Sequence, residues 1–153
     1  DERERGEKKA SLPDEIMLSE GENIFGDYIL LLEKAVSTEP SHSTLQIQKE
    51  KENIYKLFTQ VYLESDKING NLSVRCRKSG DKIRSGGMSK DVRKLFSEKK
   101  LRLCTRASYP IVCDGEGIVF IPEIAIRDGV KIKNNDRNSI ARIKLTVLSK
   151  NDK

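Results

Sequence analysis

The chain has no tryptophan, one histidine and three cysteines among 153 residues, and its aromatic residues amount to 5%. So few aromatics argue against a surface that stacks many single-stranded bases. Shape and phosphate contacts are the expected means of recognition if the partner is a nucleic acid. Cys76, Cys104 and Cys113 are odd in number, lie 28 and 9 positions apart and form no C-x-x-C pair. That spacing predicts reduced, partly buried thiols of a cytosolic protein rather than a disulfide framework or a metal site. The single histidine, His42, stands in a polar stretch without a Ser, Cys or carboxylate arrangement around it. It reads as a solvated loop residue, and the chain offers neither metal-ligand spacing nor a nucleophile with its base. The longest aliphatic stretch, Tyr28 to Leu32, falls far short of the roughly 18 apolar residues of a membrane-spanning helix. The first eleven residues, DERERGEKKAS, contain no apolar stretch and cannot serve as a secretory signal, though a mature secreted chain would lack one too; the expectation of a cytoplasmic location rests on the thiols.

Charge is abundant by contrast, at 35% of residues against 36% hydrophobic, which predicts a compact core under a heavily charged surface. The charge is also segregated. Leu72 to Pro110 holds twelve of the 29 Lys and Arg and three of the 24 acids, a local net charge of +9 within a chain of +5. The rest therefore sums to −4. A mildly acidic body with one basic face points to a polyanionic partner, a nucleic acid first.

Residues 1–11 alternate acids and bases and read as a flexible tail or the end of a preceding domain, which leaves 12–150 as a single domain with an acidic, strand-rich half (12–70) and a basic half (71–150). Ile24 to Leu32 and Tyr55 to Glu64 have strand character, separated by the polar stretch Ser37 to Asn53, expected to be a long loop. In the second strand Tyr55, Leu57, Thr59, Val61 and Leu63 are assigned to one face, Phe58 and Tyr62 to the other. Asn69-Gly70 signals a turn before a strand from Leu72 to Arg77, with Leu72, Val74 and Cys76 inward and Ser73, Arg75 and Arg77 on the opposite face. A helix is expected from about Lys90 to Lys99, N-capped by Ser89, with Val92, Leu95 and Phe96 toward the core and Lys90, Arg93, Lys94 and Ser97 outward. Asp114-Gly115 joins two strands as a hairpin, short strands follow near Ile124 to Ile126 and Val130 to Lys133, and Ile140 to Leu148 alternates with Arg142, Lys144 and Thr146 on one side. The fold class is α+β, mostly antiparallel strands with one helix.

Two motifs compete for a function. Ser85-Gly86-Gly87-Met88-Ser89 comes near the S-G-G-x-D-S loop of ATPases that adenylate tRNA bases, but Ser89 replaces the aspartate and no hydrophobic parallel strand precedes it. Two readings stay open for it: a helix-entry turn, or a glycine turn whose backbone N–H groups hold one phosphate. Arg75 and Arg77 on one strand face, followed by Lys78, Lys82 and Arg84, form a basic face suited to bidentate phosphate contacts. Asp81 is expected to orient a neighbouring Arg or cap the turn. Lys90, Arg93, Lys94, Lys99 and Lys100, then Arg102 and Arg106, extend the basic surface.

VRCRKSGDKIRSGGMS, then VRKLFSEKKL, YPIVCDGEGIVFIPEIAI and VKI resemble the C-terminal domain of tRNA(Ile)-lysidine synthetases. Arg75, Arg77, Gly80, Asp81, Gly87, Met88, Leu95, Lys100 and Pro110 match the pattern of that family as they stand. The resemblance covers about Asn71 to Lys133, with Gly21 to Leu32 and Tyr55 to Asp66 similar to the preceding strands. Leu101-Arg102-Leu103 and Arg106-Ala107 depart from it, and Glu123 stands after Pro122 where a glycine is common. The resemblance implies an ATP-dependent ligase that joins lysine to the wobble cytidine of an isoleucine tRNA. It also implies that ATP and Mg belong to an N-terminal catalytic domain outside these residues, that this chain alone is inactive, and that its partners are that domain and the tRNA acceptor stem. The candidate tRNA-binding residues, read from the basic segment that the family would use to grip the tRNA, are Arg75, Arg77, Lys78, Lys82, Arg84, Lys90, Arg93, Lys94, Lys99, Lys100 and Arg106. The rival reading is an interaction module that docks a catalytic domain or an acidic protein through Phe58 and Tyr62.

Overall fold

Gly26-Asp27 splits the apolar run 24–32 into two strands, because Gly26 takes a φ of +62°, which a tight hairpin corner needs at that position. The computed structural model describes residues 14–35, 54–132 and 141–150. The corner joins β2 (Gly21–Phe25) to β3 (Tyr28–Ala35), with Phe25 opposite Tyr28. These two strands, β4 (Tyr55–Glu64) and β11 (Arg142–Lys150) form an antiparallel sheet of order β2-β3-β11-β4. A second sheet, β1-β5-β8-β9-β10, consists of β1 (Glu15–Met17), β5 (Ser73–Arg75), β8 (Ile111–Cys113), β9 (Ile118–Ile121) and β10 (Ala125–Ile126). The ribbon of β6 (Lys82–Ser85) and β7 (Met88–Asp91) stands apart and leads into α1 (Val92–Glu98) and α2 (Leu103–Ser108). The class is α+β with antiparallel pairing, as composition and pattern predict.

The apolar faces gather in two clusters. Leu30, Leu32, Val61, Leu63, Val74, Leu145 and Val147 belong to the first, and Ile83, Val92, Phe96, Tyr109, Ile111 and Ile121 to the second. Phe58 packs against both. Its ring lies 5.9 Å from that of Tyr28 and 6.1 Å from that of Tyr109, which in turn is 5.3 Å from Phe96. This run of rings ties the basic half to the large sheet.

The expected single face of β4 fails at Phe58. The β4–β11 register shifts between Val147 and Leu148, so Thr59 faces Val147 while Leu57, not Phe58, faces Leu148. A bulge inserts one residue and reverses the alternation beyond it. Phe58 therefore joins the core with Val61 and Leu63, Leu57 becomes 54% exposed, and Tyr62 remains on the far face. Phe58 and Tyr62 thus do not form the common exposed face that the docking reading requires. The polar side of β11 is also buried rather than outward: Arg142, Lys144 and Thr146 retain 5%, 2% and 0% of their surface. Burial lowers the pKa of Lys144, with Glu33 across the sheet opposing the shift. Of the expected strand Val130 to Lys133, the described residues Val130 to Ile132 provide one isolated bridge, Lys131 to Leu63. Ser37–Asn53, His42 and residues 1–11 lie outside the described residues.

Candidate nucleic-acid interface

Gly86 and Gly87 have φ of +67° and +79°, the two positive values of a type I′ turn, and they close the β6–β7 hairpin with Ser85 opposite Met88. The glycine pair is therefore neither a helix entry nor an ATP loop. Ser89 sits inside β7 and caps nothing. The N-cap is Asp91, whose carboxylate accepts from the Arg93 amide at 3.0 Å, so the helix starts at Val92, two residues later than expected, and ends at Glu98. Its buried residues are Val92 and Phe96, with Leu95 packed at the margin, as the pattern predicts. The backbone N–H groups of the glycine turn are also not free. Gly86 and Gly87 each donate at 2.8 Å to a different carboxylate oxygen of Asp128.

Arg75 is engaged too. Its guanidinium donates to both oxygens of Asp81, at 2.9 and 3.1 Å, and to the Cys76 carbonyl at 2.9 Å. Asp81 also accepts from the Lys78 amide at 2.7 Å, and its carbonyl receives the Val92 amide at 3.1 Å. Asp81 thus does both things expected of it, orienting an arginine and closing a turn. Burial would raise the Asp81 pKa, but the hydrogen bonds from Arg75 and the Lys78 amide outweigh it and the net direction is downward. The expected strand from Leu72 to Arg77 shortens to Ser73–Arg75, so Arg77 lies beyond it and not on a strand face shared with them; Ser73 is buried against Glu15 and Arg75 is spent on Asp81, which leaves both poorly placed for an outside ligand.

The remaining cations divide by exposure. Lys78, Lys82, Arg84, Arg93, Lys94, Lys99 and Lys100 are exposed, whereas Arg77, Lys90 and Arg106 are half-buried. Lys82 and Arg84 alternate with Ile83, which is buried in the same cluster as Val92 and Phe96. The ribbon and α1 are thus fixed on one core and direct their charged sides outward from it. Arg106 lies on α2 and donates Nε to the Leu101 carbonyl at 2.8 Å, so it braces the α1–α2 link. α2 itself was not foreseen.

A second acid knot, which the sequence does not announce, holds the loop that reaches the hairpin. The Asp114 side chain, 0% exposed, accepts from the amides of Asn69, Glu116 and Gly117 and from both terminal nitrogens of Arg127. Burial opposes ionisation, but these donors prevail and draw the Asp114 pKa down to about 2. Gly115 is required beside it, since a Cβ there would lie 2.9 Å from the Asn69 carbonyl oxygen. Arg127 then leads to Asp128, whose amide donates to the Arg84 carbonyl at 3.0 Å while its carboxylate grips the glycine turn. Asp128-Gly129 reads in sequence as a turn alone, because its partner is 42 positions away.

The Ser85–Ser89 string that comes near an ATP loop is a hairpin corner whose two glycine amides are taken by a carboxylate. Among the described residues no three His, Cys, Asp or Glu converge on a point where a metal ion would sit. Among the described residues no helix is long and apolar enough to cross a membrane.

Residues 72–144 match the family described as the TilS substrate C-terminal domain. An 86-residue stretch is 38% identical to the tRNA(Ile)-lysidine synthase of Clostridium tetani, covering 55% of this chain and 18% of that protein. An 83-residue stretch is 41% identical to the tRNA(Ile)-lysidine synthase of Bacillus subtilis, covering 50% of this chain and 18% of that one. The matched region is thus under a fifth of each relative. A crystal structure of a TILS C-terminal domain shares the fold with a TM-score of 0.68 at 18% identity, covering 90% of this chain and 98% of that one.

Proposed function

We propose that this chain, whose residues 72–144 match the TilS substrate C-terminal domain family, is the tRNA-gripping module of a tRNA(Ile)-lysidine synthase. In this reading the parent is a cytoplasmic ligase that uses ATP and Mg, held by its N-terminal domain, to join lysine to the wobble cytidine of an isoleucine tRNA. The chain described here supplies no reacting group. Its task is to hold the acceptor stem so that the anticodon reaches the distant catalytic domain.

The observation that carries this reading is the set of exposed cations: Lys82 and Arg84 on the hairpin and Arg93 and Lys94 on α1, both elements anchored to one core cluster, with Lys78, Lys99 and Lys100 in the segments that flank them. Rigid elements place phosphate-binding charges at constant spacing, which a uniform double-stranded backbone rewards. Guanidinium and ammonium groups on such a frame supply affinity by counterion release, and the A-form shape supplies register. Arg75 and Arg106, spent on Asp81 and on the Leu101 carbonyl, act beneath this surface as supports for it.

The test is competition. A labelled isoleucine tRNA bound to the chain should be displaced by its own acceptor-stem minihelix at concentrations where heparin of equal charge and an anticodon-stem hairpin displace little. Equal displacement by heparin would reduce the surface to a generic cationic one and refute the reading.

A further inference from the structure

The Gly86-Gly87 corner already holds an anion, and that anion is part of the chain. Both N–H groups of the I′ turn point to one side and donate at 2.8 Å to the two oxygens of Asp128, the geometry in which a backbone nest holds two oxygens of a phosphate. The surroundings are cationic. A Cβ at Gly86 would lie 3.5 Å from Nζ of Lys90, so an ammonium group sits beside the corner. Arg84, whose carbonyl receives the Asp128 amide, adds a guanidinium to the same field. Two amides, an ammonium and a guanidinium around one exposed point exceed what a plain hairpin corner needs.

We propose that the Gly86-Gly87 corner, with Lys90 and Arg84, is a phosphate-binding nest that Asp128 fills as an internal surrogate and yields to a backbone phosphate of bound RNA. Asp128 is exposed, so its side chain leaves by a rotamer change while its amide stays on the Arg84 carbonyl. The tethered carboxylate competes at a high effective concentration, which free phosphate or a free nucleotide does not overcome. An RNA already held by Lys82, Arg84, Arg93 and Lys94 presents its phosphate intramolecularly and competes on equal terms. The surrogate thus reserves the nest for polymer over free anion. The nest stands on the hairpin geometry alone, and the identity of the phosphate donor rests on the function proposed above.

Amide shifts of Gly86 and Gly87 test both parts, in wild type, Asp128→Asn and Asp128→Ala. Titrated with inorganic phosphate, Asp128→Ala should show saturable shifts at both glycines with affinity about tenfold or more above wild type, in keeping with the loss of a charged competitor for two hydrogen bonds. Asp128→Asn, which keeps one acceptor oxygen and part of the hairpin contact, should fall between them. Acceptor-stem RNA should shift the same two amides in the wild type and bind Asp128→Ala severalfold tighter. Absence of saturable phosphate shifts at Gly86 and Gly87 in both variants would overturn the nest. Phosphate binding in the variants with no RNA effect at these amides would leave the nest but overturn its occupation by RNA. No RNA binding by any variant would instead overturn the function on which that occupation rests.

Discussion

Asp114 gives the sharpest energetic expectation, because its carboxylate is fully enclosed and every donor to it is identified. In the unfolded chain its pKa returns to 3.8, whereas the Arg127 fork and three amides hold it near 2 in the folded chain. A depressed carboxyl pKa stabilises the fold above the unfolded value, and the contribution is lost as pH falls through the folded one. The difference corresponds to about 2 kcal/mol at pH 7, of which about half is gone at pH 3. Asp114→Asn removes the titrating group and leaves Arg127, at 15% side-chain exposure, without its counter-charge. The variant should therefore lose about 3 kcal/mol at pH 7, the lower end of the range for a broken buried pair. Urea unfolding of both proteins at pH 7 and pH 3 measures this directly. The gap between them should narrow by about 1 kcal/mol at pH 3, since the wild type alone gives up the carboxylate term. A gap that is equal at the two pH values would show that the knot does not hold the ionised form, and the reasoning would fail.

Other perturbations separate support from surface. Glu123 adopts a φ of +66° where glycine carries no steric cost, so Glu123→Gly should raise urea-unfolding stability by up to about 1 kcal/mol. Arg75→Ala strands Asp81 and should cost about 2 kcal/mol of stability. Arg84→Ala, on an exposed side chain, should stay within about 0.5 kcal/mol in the same unfolding assay. Of the three thiols, exposed Cys104 should react fastest with a disulfide reagent, and buried Cys113, whose pKa burial pushes up to about 11, should react only on unfolding.

The parts of this fold governed by local rules are readable in the chain. The helix follows from Val92, Leu95 and Phe96, and the hairpin at Asp114 from its Asp-Gly pair, although the loop spans four residues because Asp114 turns inward to Arg127. Gly86-Gly87 was equally local, a dipeptide of the I′ hairpin class, yet its likeness to a nucleotide loop draws attention to the wrong element. A hairpin at this dipeptide puts Ser89 inside a strand and the N-cap at Asp91. α2 escapes because Arg102 offers no side-chain cap to mark its start. Phe58, Lys144 and Asp128 are of a different kind. A bulge, a second covered sheet face and a carboxylate arriving from 42 residues away are tertiary facts with no local signature. The basic segment was legible as a sum of charge, but which cations face outward depends on Asp81, which claims Arg75, the residue its strand pattern most favours.

The central claim is that exposed cations on the hairpin and α1 grip a tRNA stem through its phosphates. The most direct test is the salt dependence of acceptor-stem affinity for the wild type and for a variant with Lys82, Arg84, Arg93 and Lys94 all changed to Ala. Each lost phosphate contact should remove slightly less than one unit from the slope of log affinity against log salt, so the variant's slope should be shallower by about three and a half units. Affinity that is flat with salt in the wild type, or a slope unchanged in the variant, would contradict the account.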